Sequence, residues 1–346
     1  MRANYALPMG GIVTPIYPGV IDGPVEVNSP DANLLSTQRV IFNGNFTETP
    51  SVREDALASD YYLSWYDEVS AGMRSWILIG NQGSVSTTAQ VFIGGALRGS
   101  FSIPPGGRVT PEFPGVLAGP VRVVSTNGQP LIVSERVTYN GSFNEITGTP
   151  AASLSNEHRL AWYDFQSPGL RTWVLVANPN PTPVTAEIYI GGVLRGTNSL
   201  PPGGIWTPVF PGILGGPVRV RSTGGQNLIV SERSTYGNSF EEVAGVPPSA
   251  LTDGAWFTWY DQVSAGLKTW ILMSNQGTAP TTADIFIAGS HVAGPFNLPA
   301  GGAVTVANFP GILNGPVRVI SGGQPILVSE RTIYNASFNE ITGLNP

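Results

Sequence analysis

One segment is written four times in this chain. LIVSERVTYNGSFNEITG at Leu131–Gly148 returns as LIVSERSTYGNSFEEVAG from Leu228 and as ILVSERTIYNASFNEITG from Ile326, and a worn copy, LLSTQRVIFNGNFTET, begins at Leu34. Arg39, Arg136 and Arg233 stand 97 residues apart, and Arg331 follows after 98. A fixed internal period decides architecture before any single motif is weighed, because each copy must be one structural unit.

The rest of the chain keeps the same register. Trp65-Tyr66-Asp67, Trp162-Tyr163-Asp164 and Trp259-Tyr260-Asp261 open three complete units, followed by a second tryptophan at Trp76, Trp173 and Trp270. Tyr5–Val27 matches Phe101–Val123, the back half of a unit, and no front half stands before it within these residues. The divisions are therefore 1–50 (an incomplete, back-half repeat), then 51–147, 148–244 and 245–346, each with a leading linker. From the last glutamate of one unit to the next tryptophan is 17 residues each time: Glu48 to Trp65, Glu145 to Trp162, Glu242 to Trp259. Each linker carries a leucine in register, Leu57, Leu154 or Leu251. A floppy tether needs neither constant length nor a placed leucine. A short helical turn packed on a neighbouring unit is the expectation.

Within a unit the signals are for strands. YYLSWYDE, RSWILIGN, TAQVFIGG, PVRVVS and PLIVSERVTY are short β-branched or aromatic runs, punctuated by NQG, GG, PPGG, FPG and NGQP. Seven or so strands per unit is the count of a β-sandwich. With 43 Gly and 31 Pro at turn positions, this predicts an all-β chain of tandem antiparallel sandwiches, three complete plus an N-terminal half, strung as an extended rod. The alternative is a seven-bladed β-propeller, since half-repeats number seven.

Several function classes drop out. A net charge of −6 argues against nucleic acid, which needs clustered basic residues. No stretch is apolar enough to insert in a membrane, and MRANYALPMG does not read as a signal peptide. There is no cysteine, so neither disulfides nor thiolate metal sites exist, and a single lysine rules out a Lys–Asn isopeptide staple in every unit. Acids are too sparse for a calcium cage. His158 and His291 occupy non-equivalent places, so no Ser-His-Asp site recurs per unit. Glu135, Arg136 and Glu145 read as structural hydrogen bonding and ion pairing. The expectation is a protein that is not an enzyme and has no cofactor.

W-x(10)-W-[IV]-L-[IVM]-x-N, a strand ending in GG, then PGG and SER-x-x-Y together resemble the Ig-like β-sandwich repeats of large secreted or surface-anchored bacterial proteins. The matching residues are Trp162, Val174–Pro179, Leu200–Gly204 and Glu232–Tyr236, with counterparts in the other units. The resemblance implies an extracellular or cell-surface scaffold.

Three sets of residues are candidates for function. The half unit presents Leu7, Val13, Tyr17, Val25, Val27 and Leu35 with no front half to cover them. Half a sandwich is marginal in water, so strand pairing with a copy of the same chain in a filament or surface fibre is expected. Tyr66, Tyr163 and Tyr260 would contact cell-surface glycans if they faced outward in a carbohydrate-binding or adhesin array. Neighbouring strand residues face opposite ways, so one of Trp65 and Tyr66 should point out while the tryptophans form sandwich core. Asn45, Asn140 and Asn335 begin glycosylation sequons.

Overall fold

The computed structural model describes residues 3–307 and 309–344. Each complete unit is a sandwich of two antiparallel sheets. In unit one Thr149–Pro150, Asp60–Leu63, Val121–Ser125, Thr87–Ile93 and Ala96–Ile103 form one sheet in that order. Ser142–Thr147, Leu131–Tyr139, Met73–Asn81 and Arg108–Val109 form the other. Units two and three repeat the plan. Alternation explains the core. Thr87–Ile93 buries every second residue, and Ala89, Val91 and Ile93 meet Ile77, Ile79 and Val133 from the facing sheet.

The tyrosine of each Trp-Tyr-Asp motif locks its sandwich from inside. Tyr66 Oη donates to the Ser75 carbonyl at 2.8 Å and accepts from the Phe113 amide at 2.7 Å. Tyr163 repeats the pair with Thr172 and Phe210. The aspartate then caps the following turn: Asp67 Oδ1 accepts from the amides of Val69 and Ser70. The asparagine after the second tryptophan, Asn81, donates to the carbonyls of Val85 and Ile103, closing the loop end.

The repeated segment folds as a β-hairpin. There are four: Thr37–Phe42 with Asn45–Pro50, Leu131–Tyr139 with Ser142–Thr147, Ile229–Tyr236 with Ser239–Ala244, and Ile326–Tyr334 with Ser337–Thr342. Asn43-Gly44 and Asn140-Gly141 turn two of them with positive φ at both positions, the geometry that asparagine and glycine tolerate best.

The units are not strung end to end. The second strands of the hairpins pack in a closed cycle: Asn45–Pro50 on Ser142–Thr147, that on Ser239–Ala244, that on Ser337–Thr342, and the last back on Asn45–Pro50. The expected rod is thereby replaced by a ring of four hairpins carrying three sandwiches. The seven-bladed propeller does not form either, because front and back strands of a repeat combine into one sandwich rather than into separate blades. The linkers do contain the expected turn, a 3-10 segment at Glu54–Ala56, Ala151–Ser153 and Pro248–Ala250. Leu251 packs with Trp162 and Leu272 between units two and three, as a spacer of fixed length requires.

The half unit divides sharply. Its hairpin, residues 37–50, completes the ring, whereas residues 3–36 form no strand. In unit one the residues equivalent to 5–27 pair with front-half strands, as Val121–Val124 does with Asp60–Leu63. The half unit offers no such partner among the described residues, so its backbone has no ladder to join. The expected exposed strand set is an extended segment without strands.

Candidate functional site

The ring is stitched by one residue constellation used three times. Trp65 of unit one leaves its own sandwich and lies against unit two, where its indole N–H donates to Glu242. Trp162 of unit two does the same to Glu340 of unit three, at 2.7 and 2.8 Å to the two carboxylate oxygens. Trp259 of unit three reaches Glu48 of the first hairpin at 2.6 Å, joining the two ends of the chain. An arginine covers each indole: Arg233 over Trp65 at 3.4 Å from the ring centre, Arg331 over Trp162 at 3.7 Å, Arg39 over Trp259 at 3.8 Å. A desolvated guanidinium on an indole face is worth up to about 2 kcal/mol.

Hydroxyls complete each socket. Ser231 Oγ donates to Glu242 at 2.6 Å, and Ser329 Oγ to Glu340 at 2.6 Å. Ser64, one residue before Trp65, adds a second bond to Glu242 at 3.0 Å. The Ser-x-Arg of the repeated segment and the glutamate of its second strand thus form a receptor for the preceding unit's indole. Burial pushes the Glu48 carboxyl above its usual range, against the bonds from Thr37, Trp259 and Thr258 and the charge of Arg39.

Serine clamps lie nearer the axis. Ser142 Oγ accepts from the Phe240 amide (2.9 Å), Ser239 Oγ from the Phe338 amide (2.8 Å), and Ser337 Oγ from the Phe46 amide (2.8 Å). At the fourth contact Asn45 replaces serine, and its Nδ2 donates to the Gly141 carbonyl at 2.9 Å. The in-register residues Thr47, Asn144, Glu241 and Asn339 are all buried here. Asn144 and Asn339 both donate to Glu241 Oε2 at 2.9 Å. Burial pushes the Glu241 carboxyl well up, with those amides opposing. Glu135, Glu232 and Glu330, one inside each complete sandwich, are likewise raised well above the ordinary range by burial. The half unit has Gln38 at the same place.

The residues singled out from sequence fall as follows. Tyr66, Tyr163 and Tyr260 are fully buried at 0 % exposure, so they cannot face a glycan; the tryptophan beside each is the residue that leaves its sandwich. Burial raises the Tyr163 phenol to about 12. Those tryptophans are buried too, but in a neighbour's surface rather than in their own core. Leu7, Val13, Tyr17, Val25 and Val27 are exposed and Leu35 is half-buried. Asn140 and Asn335 lie exposed at hairpin tips, and Asn45 is half-buried beside Gly141. His158 is buried between the carbonyls of Gly245 and Leu228, and desolvation lowers its pKa. Among the described residues no cluster of three or more metal-ligating side chains occurs, and no helix is long and apolar enough to cross a membrane.

No family model matches the chain, and no curated protein does. Among solved structures it is similar to the central fibronectin-III array of RIM-binding protein, at 14 % identity, 83 % of this chain, 97 % of that chain and a TM-score of 0.14. It is also similar to two B repeat units of the collagen-binding protein of Staphylococcus aureus, at 10 % identity, 87 % and 83 % coverage and a TM-score of 0.11. At those scores the likenesses add nothing to the fold. The class, a tandem array of Ig-like sandwiches, rests on the ladders and cores of the chain itself.

Proposed function

We propose that this chain is a non-enzymatic structural protein of the cell surface or extracellular space, a rigid hub that joins neighbouring copies of itself in a fibre or layer. Completion of the first unit by a neighbouring chain makes the joint. The observation that carries this is the contrast within the first fifty residues. Residues 37–50 are held by the ring, while residues 3–36 display Val13, Tyr17, Val25 and Val27 without strand partners. An apolar segment outside every ladder is suited to strand addition. The ring supports the scaffold role, because its repeated Ser, Glu, Arg and Trp side chains are engaged in holding units together.

Deleting residues 1–36 should leave the hairpin at 37–50 and the ring intact while abolishing assembly, read by sedimentation velocity. Assembly unchanged by that deletion would refute the proposal. Buried tyrosines remove the glycan contacts on which the adhesin alternative depended.

A further inference from the structure

Three sockets hold an indole; the ring has four hairpins and so a fourth place for one. It lies where the first hairpin meets unit one. In the socket filled by Trp65, the indole sits among Leu175 and Phe240 of unit two and Val137 and Tyr139 of unit one. The same register at the fourth place gives Leu78 and Phe143 of unit one with Val40 and Phe42 of the first hairpin, and these four line an open groove of about 410 Å³. That volume lies within the range of sites that hold a small ligand, roughly 300–1,000 Å³.

The polar groups match as well. Ser134 Oγ donates to Glu145 at 2.7 Å, as Ser231 does to Glu242. Arg136 stands where the other arginines cover an indole. Its Nη2 and Nε lie 2.8 and 3.1 Å from one Glu145 oxygen, as those of Arg331 lie 3.1 and 3.2 Å from one Glu340 oxygen, but no indole lies under it. Its side chain is 39 % exposed, against 13 % for Arg233 and Arg331 and 29 % for Arg39 over their indoles. Glu145 is 12 % exposed, against 1 % for Glu242 and 3 % for Glu340.

We infer that the groove between Val40 and Phe143 is a fourth indole socket, and that it takes the Trp-Tyr-Asp strand of a repeat front half presented by a separate polypeptide. The inference rests on the proposed completion of the first unit and specifies what the completing segment carries. Each preceding unit fills the next one's socket, and the half unit is the one whose Trp-Tyr-Asp strand is not among residues 3–36. Glu145 meets the indole N–H and Arg136 the ring face. A neighbouring copy would donate such a strand by releasing one of Trp65, Trp162 and Trp259 from its own socket.

The test titrates the full chain with a synthetic peptide of the sequence of residues 60–70, DYYLSWYDEVS, following the Val40 and Leu78 methyl signals by NMR. Saturable shifts are expected at both, with affinity falling at least ten-fold when the peptide's tryptophan is replaced by alanine. Arg136→Ala should weaken binding as much; Glu145→Gln, which keeps the shape, should weaken it several-fold. No saturable shift, or binding indifferent to the indole, overturns the socket. Engagement only when the peptide is joined ahead of Met1 overturns the separate donor. The completion reading stands or falls separately, on assembly after deletion of residues 1–36.

Discussion

Arg233 and Arg136 are the same residue of the same repeat, yet they do different things. Arg233 lies flat on Trp65 with its carboxylate partner Glu242 3.7 Å away. Arg136 has no indole over it and forms a 2.8 Å pair with the partly buried Glu145, its own side chain 39 % exposed. An ion pair in water contributes little, whereas a guanidinium held between a buried carboxylate and an aromatic face is costly to disturb. Identical sequence therefore gives a structural joint in one unit and an accessible site in another. The difference lies in what the preceding unit supplies.

Removing an indole breaks that contrast most directly. Trp162→Ala should destabilise the chain by about 3–5 kcal/mol, the usual cost of emptying a buried aromatic site, and should separate units two and three in urea unfolding followed by hydrogen exchange. Taking the arginines in turn sharpens it: Arg331→Ala, which strips a buried carboxylate of its cation, should cost about 3 kcal/mol, and Arg136→Ala about 1 kcal/mol or less. Equal losses in chemical denaturation would show that the indole adds nothing to the arginine's role.

Acidity tests the axis. Glu241 has its carboxyl raised above the unfolded value, so the folded state holds more protons than the unfolded one between the two pKa values. Its contribution is present below the unfolded pKa and is lost as pH rises towards the folded one; Glu135, Glu232 and Glu330 act in the same direction. Glu241→Gln keeps an acceptor for Asn144 and Asn339, so it should raise stability at pH 8 and flatten the fall between pH 5 and 8 in urea midpoints. Tyr66→Phe leaves the ring packed and loses two hydroxyl bonds worth about 1 kcal/mol each; thermal unfolding should register it without any change in ring contacts.

Much of this was legible in the chain. The short β-branched runs such as TAQVFIGG, with Gly and Pro between them, predicted sandwiches, and Leu251 does pack between units. The strand rule that Trp65 and Tyr66 face opposite ways also held. Which of them turned outward was not legible: a ring that leaves its own core for a neighbour's looks, in sequence, like any core tryptophan. The same ambiguity hid the partner of Glu242, which is the indole of a residue 177 positions away as well as its own arginine. Constant spacing says that units meet at one angle, and a rod and a ring both satisfy that. Curvature came from the side of the sandwich on which the indole leaves, which no periodicity encodes. Glu241 was visible as the EE in SFEE where the other copies have NE or TE, but only packing shows that it sits on the axis.

The contact between Phe46 and Ser337 joins residues 291 positions apart. Since every hairpin is gripped from both sides, the covalent linkers are not what keeps the circle together. A protease that cut one of them, for instance near Ser153, would leave two fragments still clasped. The order of units along the gene is likewise free to change: new ends opened at a linker, with the old ones joined by a tether, should yield the same circle.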